Sequence, residues 1–158
     1  MRASCEDDPD QARCRCIAAG SLVRTPSGER PIEALRAGDA IFSIDEATGR
    51  EVAAVVAQTM DKGEAATLRF LLEDGRVLLA TGAHPLYDLA AKTYRLASTW
   101  KPGERLASAD GPLRPVAIRS IEPGPKTRVL DLSVDSPFRN FVAGGVLVHN
   151  KAPLTRTE

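Results

Sequence analysis

Thr67-Leu68-Arg69-Phe70-Leu71-Leu72-Glu73-Asp74-Gly75-Arg76-Val77-Leu78-Leu79-Ala80 is the stretch that decides the fold class. Its Asp-Gly pair parts two apolar runs, which is the sequence form of a tight β-hairpin, because Gly supplies the positive φ that such a turn requires. Outward from it, residues 21–24, 40–44, 52–58, 116–121, 127–134 and 141–148 are further short apolar or β-branched runs, each bounded by Gly, Pro, Asp or Ser. Pro26-Ser27-Gly28 marks another turn, and Pro31-Ile32-Glu33-Ala34-Leu35 reads as one helical turn leading to Gly38-Asp39. No helix-length amphipathic pattern stands out, although residues 86–96 read equally as helix or strand. Many short strands at close spacing predict an all-β fold.

The chain has 158 residues, enough for one core, so a single domain is expected. Lys plus Arg and Asp plus Glu are 21 each, so no net field favours nucleic acid or an anionic membrane surface, and neither is expected as a partner. No apolar run reaches the length of a membrane span, and Met1-Arg2-Ala3-Ser4-Cys5-Glu6-Asp7-Asp8 lacks the apolar centre of a signal peptide. Cys5, Cys14 and Cys16 lie together near the start, a distribution unlike that of a disulfide framework, so they are not expected to staple the fold. Residues 1–15 read as a flexible arm, 151–158 as a loose tail, and 16–150 as the domain.

Four places carry candidate chemistry. Gly144-Gly145-Val146-Leu147-Val148-His149-Asn150 ends an apolar run on a His-Asn pair. The Asn carboxamide nitrogen can attack its own backbone carbonyl, close a succinimide and release the chain beyond it, if a group such as His149 polarises that carbonyl and protonates the leaving amine. Cys16-Ile17-Ala18-Ala19-Gly20-Ser21-Leu22-Val23 places a cysteine at the head of an apolar strand. Thr81-Gly82-Ala83-His84 succeeds the 77–80 strand, with Thr and His three apart. Val129-Leu130-Asp131-Leu132-Ser133-Val134 carries one carboxylate among apolar neighbours. Singly, each has a bland reading: a buried thiol, a histidine in a turn, a solvent-facing acid, an ordinary turn.

Together and in this order, over about 135 residues from Cys16 to Asn150, the four resemble the Hint superfamily, the self-processing module of inteins, bacterial intein-like domains and Hedgehog autoprocessing domains. The resemblance implies a horseshoe-like all-β fold with pseudo-twofold halves whose two ends meet at one site. Proximity of that kind is worth effective molarities of roughly 10⁵ to 10⁸ M. It also implies roles. Cys16 attacks the carbonyl of Arg15 to form a thioester, His84 protonates the departing nitrogen, Thr81 holds the scissile peptide, and Asp131 orients or deprotonates the thiol. Asn150, helped by His149, cyclises and breaks the Asn150-Lys151 bond. No cofactor is required. The partners are the chain's own flanks in cis, the host is expected to be bacterial, and a monomer is expected.

Three features modify that expectation. Lys151 stands where a splicing intein carries Cys, Ser or Thr, so cleavage at the edges is expected over ligation. Arg139 occupies the slot before Asn140-Phe141 where many relatives have His, and a guanidinium does not exchange a proton near neutrality. Cys14 offers a bridge to Cys16 as a redox lock, and Cys14, Cys16, His84 and His149 together offer an inhibitory zinc site. The alternatives left open are an unreactive β-rich binding module, a zinc-dependent module, and Hedgehog-like transfer of the acyl group to a small nucleophile, which would need a recognition segment beyond residues 151–158.

Overall fold

The computed structural model describes residues 14–109 and 111–149. The predicted arm up to residue 13, Asn150, Lys151 and the tail lie outside the described residues. Within them are fourteen strands, two 3-10 turns (Ile32–Ala34 and Ala97–Thr99) and no α-helix; no helix there is long and apolar enough to cross a membrane. The strands are β1 (Ile17–Ala18), β2 (Leu22–Thr25), β3 (Gly28–Pro31), β4 (Ala40–Ile44), β5 (Glu51–Ala65), β6 (Leu68–Leu72), β7 (Val77–Ala80), β8 (Pro85–Asp88), β9 (Thr93–Leu96), β10 (Arg105–Ser108), β11 (Arg114–Pro123), β12 (Thr127–Asp135), β13 (Asn140–Ala143) and β14 (Val146–His149).

The Asp74-Gly75 hairpin forms as its sequence dictates. Gly75 takes a φ of +92°, its N–H donates to the Leu72 carbonyl at 2.9 Å, and Phe70 pairs with Leu78 so that both reach the core. Residues 141–148, read as one strand, are two, because Gly144 (φ +60°) and Gly145 (φ +78°) fold β13 back onto β14. Such a mirror-image turn matches the right-handed twist of the strands it joins. Residues 86–96 resolve as the β8–β9 hairpin, with Tyr87 opposite Tyr94 and their ring centroids 4.9 Å apart.

All strand pairing is antiparallel, in the order β3-β2-β13-β14-β10-β11-β6-β7-β1-β12-β5-β4, with β8 on β14 and β9 on β8. β11 joins two regions: its first residues pair with β10 and its last with β6, across an irregularity between Ile118 and Ser120. Ile17, Phe70, Leu78, Ile118, Leu130, Phe141 and Val148 share one core cluster. The first and the last described strands are therefore both core strands. Burying a side chain such as Phe141 contributes about 1.5–3 kcal/mol.

Candidate active site

β1 is only two residues long, yet it is held on both sides. Ile17 pairs with Leu130 of β12 and with Ala80 of β7. Carrying each register on by one residue sets Cys16 level with Asp131 on one side and Thr81 on the other. All three are buried, at 0%, 1% and 0% exposure, which removes the solvent-facing reading of Asp131.

Thr81 grips the backbone around the Arg15-Cys16 bond. Its hydroxyl oxygen accepts the Cys16 N–H at 2.9 Å and donates to the Cys14 carbonyl, while its own N–H donates to the Cys16 carbonyl at 3.0 Å. A β-branched residue is stiff at χ1, so this hydroxyl is well fixed.

A turn closed by His84 N–H to the Thr81 carbonyl, 3.1 Å, sets the imidazole three residues on. The ring is fully buried, edge-on to Phe141 with centroids 6.5 Å apart, and neither of its nitrogens reaches hydrogen-bond geometry among the described residues. Burial drives its pKa from 6.5 down to about 3; the adjoining Arg15 backbone opposes the shift, and the charges of His149 and Arg15 add to it. Connectivity sets the position of this turn. Residues 81–84 link β7, the neighbour of β1, to β8, the neighbour of β14.

At the other edge, His149 is half-buried at the end of β14, opposite Asn140 on β13, with its ring 4.7 Å from that of Tyr94. Tyr94 and Glu46 were not anticipated from sequence, and Asn140 was noted there only as part of the Asn140-Phe141 pair, with no role. Asn140 is fully buried; its Oδ1 accepts the Ile44 N–H at 2.8 Å, and its Nδ2 lies 3.0 Å from the Ile44 carbonyl and 3.1 Å from both Glu46 and the Tyr94 hydroxyl. The one available signal was an asparagine heading an apolar strand. Arg139 is exposed on the preceding turn, with a φ of +53°.

The cysteines depart from expectation. Cys14 is disulfide-bonded, whereas Cys16 keeps a buried, reduced thiol, so the Cys14–Cys16 bridge is not formed and the nucleophile candidate stays unblocked. Spacing along the chain does not reveal which cysteines approach in space, which is why the bonding of Cys14 was missed. No group of three or more His, Cys, Asp or Glu among the described residues is placed to hold a metal ion, and a bridged Cys14 has no thiolate to offer. The zinc set of Cys14, Cys16, His84 and His149 is therefore not assembled.

A family model described as the pretoxin HINT domain matches residues 22–151, a span that opens in β2 and includes Thr81, His84, Asp131 and His149. No curated protein matches. Among solved structures, a variant of the Ssp DnaB mini-intein is 22% identical with a TM-score of 0.80, covering 89% of this chain and 96% of its own. A DnaB intein from Synechocystis sp. PCC 6803 is 24% identical at a TM-score of 0.78, covering 87% and 99%. A bacterial intein-like domain from Clostridium thermocellum is 22% identical at 0.77, covering 86% and 99%. At such identities the likeness establishes the fold, which is the all-β intein fold.

Proposed function

Because this chain belongs to the pretoxin HINT domain family, we propose that it is a self-processing domain, residues 16–150, that breaks the backbone at its own edges and so separates residues 1–15 and 151 onward from itself. The family's description points to a precursor of a toxin as the host and to a toxin segment as one released flank.

The reading rests on one observation: Thr81 holds the Cys16 amide, and the turn it opens sets the fully buried imidazole of His84 three residues on. Cys16 Sγ attacks the Arg15 carbonyl carbon as its proton passes to Asp131. The carbon–nitrogen bond then breaks, and the proton, relayed through His84, ends on the freed Cys16 amine. One amide becomes one thioester, with no proton gained or lost. His84 is neutral at rest, so it can accept that proton, and in its apolar surroundings the imidazolium gives it up readily. Thr81, by accepting the scissile N–H, fixes the orientation of the peptide bond to be broken. At the far edge Asn150 Nδ2 attacks its own carbonyl carbon and Lys151 leaves as an amine, assisted by His149. Water hydrolyses the thioester. The Lys151 side chain is a protonated ammonium at neutral pH, so cleavage exceeds ligation.

Mass spectrometry of the purified chain incubated with and without dithiothreitol tests this. Fragments should end at Arg15 and at Asn150, the first accelerated by thiol, because thiols cleave thioesters and leave amides alone. Cys16→Ala should abolish the first cut and Asn150→Ala the second. A chain that stays whole with thiol over days would overturn the proposal.

A further inference from the structure

Asn140, Tyr94 and Glu46 form a connected polar cluster against His149 that neither thioester formation nor asparagine cyclisation, as proposed, makes use of. The Tyr94 hydroxyl donates to Glu46 Oε2 at 2.7 Å and lies 3.1 Å from Asn140 Nδ2. Asn140 is itself pinned by both backbone groups of Ile44, and the Ser43 hydroxyl donates to the Asn140 carbonyl at 2.8 Å. Three elements thereby converge on one phenol: the end of β4 with the turn after it, β9, and β13. The phenol's ring meets the imidazole of His149 with centroids 4.7 Å apart and planes at 63°.

A buried asparagine in a strand is costly unless its amide is bonded, and here the bonds lead outward to Tyr94 instead of only along the sheet. His149 ends a strand and is half-buried, and the Tyr94 ring stands against its imidazole. The bonds of the Tyr94 hydroxyl to Glu46 and Asn140 hold that ring in place.

We propose that Tyr94, locked by Glu46 and Asn140, is the positioning residue that holds the His149 imidazole for cyclisation of Asn150. The inference rests on the self-processing reading.

Two variants of the full chain separate ring from hydroxyl. Tyr94→Leu, which removes the ring, should slow release of the segment after Asn150 by about ten- to a hundred-fold, the size of effect expected from loose positioning of a reacting group, while thiol-induced cleavage at Cys16 keeps its rate. Tyr94→Phe, which keeps the ring but loses its anchors to Glu46 and Asn140, should give a C-terminal rate between those of Tyr94→Leu and the parent chain. NMR supplies a readout independent of reaction. With only two histidines in the sequence, the His149 ring protons can be assigned in an uncleaved Cys16→Ala/Asn150→Ala chain. Their displacement by the Tyr94 ring current should vanish in Tyr94→Leu and survive in Tyr94→Phe. A Tyr94→Leu chain that releases its C-terminal segment at the parent rate, or that loses both cleavages equally, overturns the positioning role alone. An unsubstituted chain that never breaks after Asn150 sinks the self-processing reading and this inference with it.

Discussion

His84 is sealed from water and held neutral, and this has a consequence for stability as well as chemistry. In the unfolded chain its imidazole takes up a proton near pH 6.5, whereas in the fold burial delays protonation to about pH 3. Between those values the unfolded state binds more protons, so stability is full above pH 6.5 and falls as the pH drops toward 3. Acidification from pH 7 to 5 should cost about 2 kcal/mol through this residue alone. Urea unfolding of a Cys16→Ala/Asn150→Ala chain at both pH values, with and without His84→Asn, measures it: the His84→Asn chain should lose less on acidification, and equal losses would count against the buried neutral ring. Residue types put Cys16, Thr81, His84, Asp131 and His149 forward only as candidates, each with a bland reading beside it, and it was their joint order, through the resemblance to the Hint superfamily, that singled them out. Tyr94 and Glu46 were not nominated, since a ring that braces another ring has no signature along the chain.

Single elements were legible where a local backbone requirement shows in the sequence. Gly75 announces the β6–β7 turn by the φ it must adopt. Gly144 and Gly145 act in the same way, yet residues 141–148 still read as one strand, because a continuous apolar run also suits a long buried strand. The turn depends on those glycines. A Cβ on Gly145 would sit 2.0 Å from Arg76 Nη1, in a guanidinium that donates to the Gly145 carbonyl at 3.2 Å and to Ser108 at 2.9 Å. Gly145→Ala should therefore lower stability by about 1–2 kcal/mol, mostly through the left-handed backbone with a smaller part from displacing Arg76, and denaturant titration would show a lower midpoint at unchanged slope. The β8–β9 hairpin was the element least legible in advance. Leu86 and Tyr87 are both buried, which breaks the alternation expected of a half-buried strand.

Across the whole molecule, the two edges at which cleavage is proposed are carried by strands that the fold cannot dispense with. β1 lies between β7 and β12, and β14 pairs with β13, β10 and β8, whereas among the described residues β9 pairs only with β8. Native-state hydrogen exchange should accordingly find the Ile17 and Val148 amides opening only with global unfolding and those of Thr93–Leu96 opening locally. Fraying of β1 at low denaturant would contradict a preorganised N-terminal edge. What the amino-acid order determined by itself was the all-β class, the principal turns and the candidates for reactive side chains, since these derive from apolar patterning, from glycine's conformational freedom and from functional-group chemistry. Tertiary structure alone decided that Cys16 comes level with Asp131 and Thr81, that His84 stands between the two edges, that Cys14 bonds elsewhere than to Cys16, and that Tyr94 backs His149. Each of these is a contact between residues far apart in sequence, selected by the pairing of strands into one buried core, and no local segment carries the energy that chooses it.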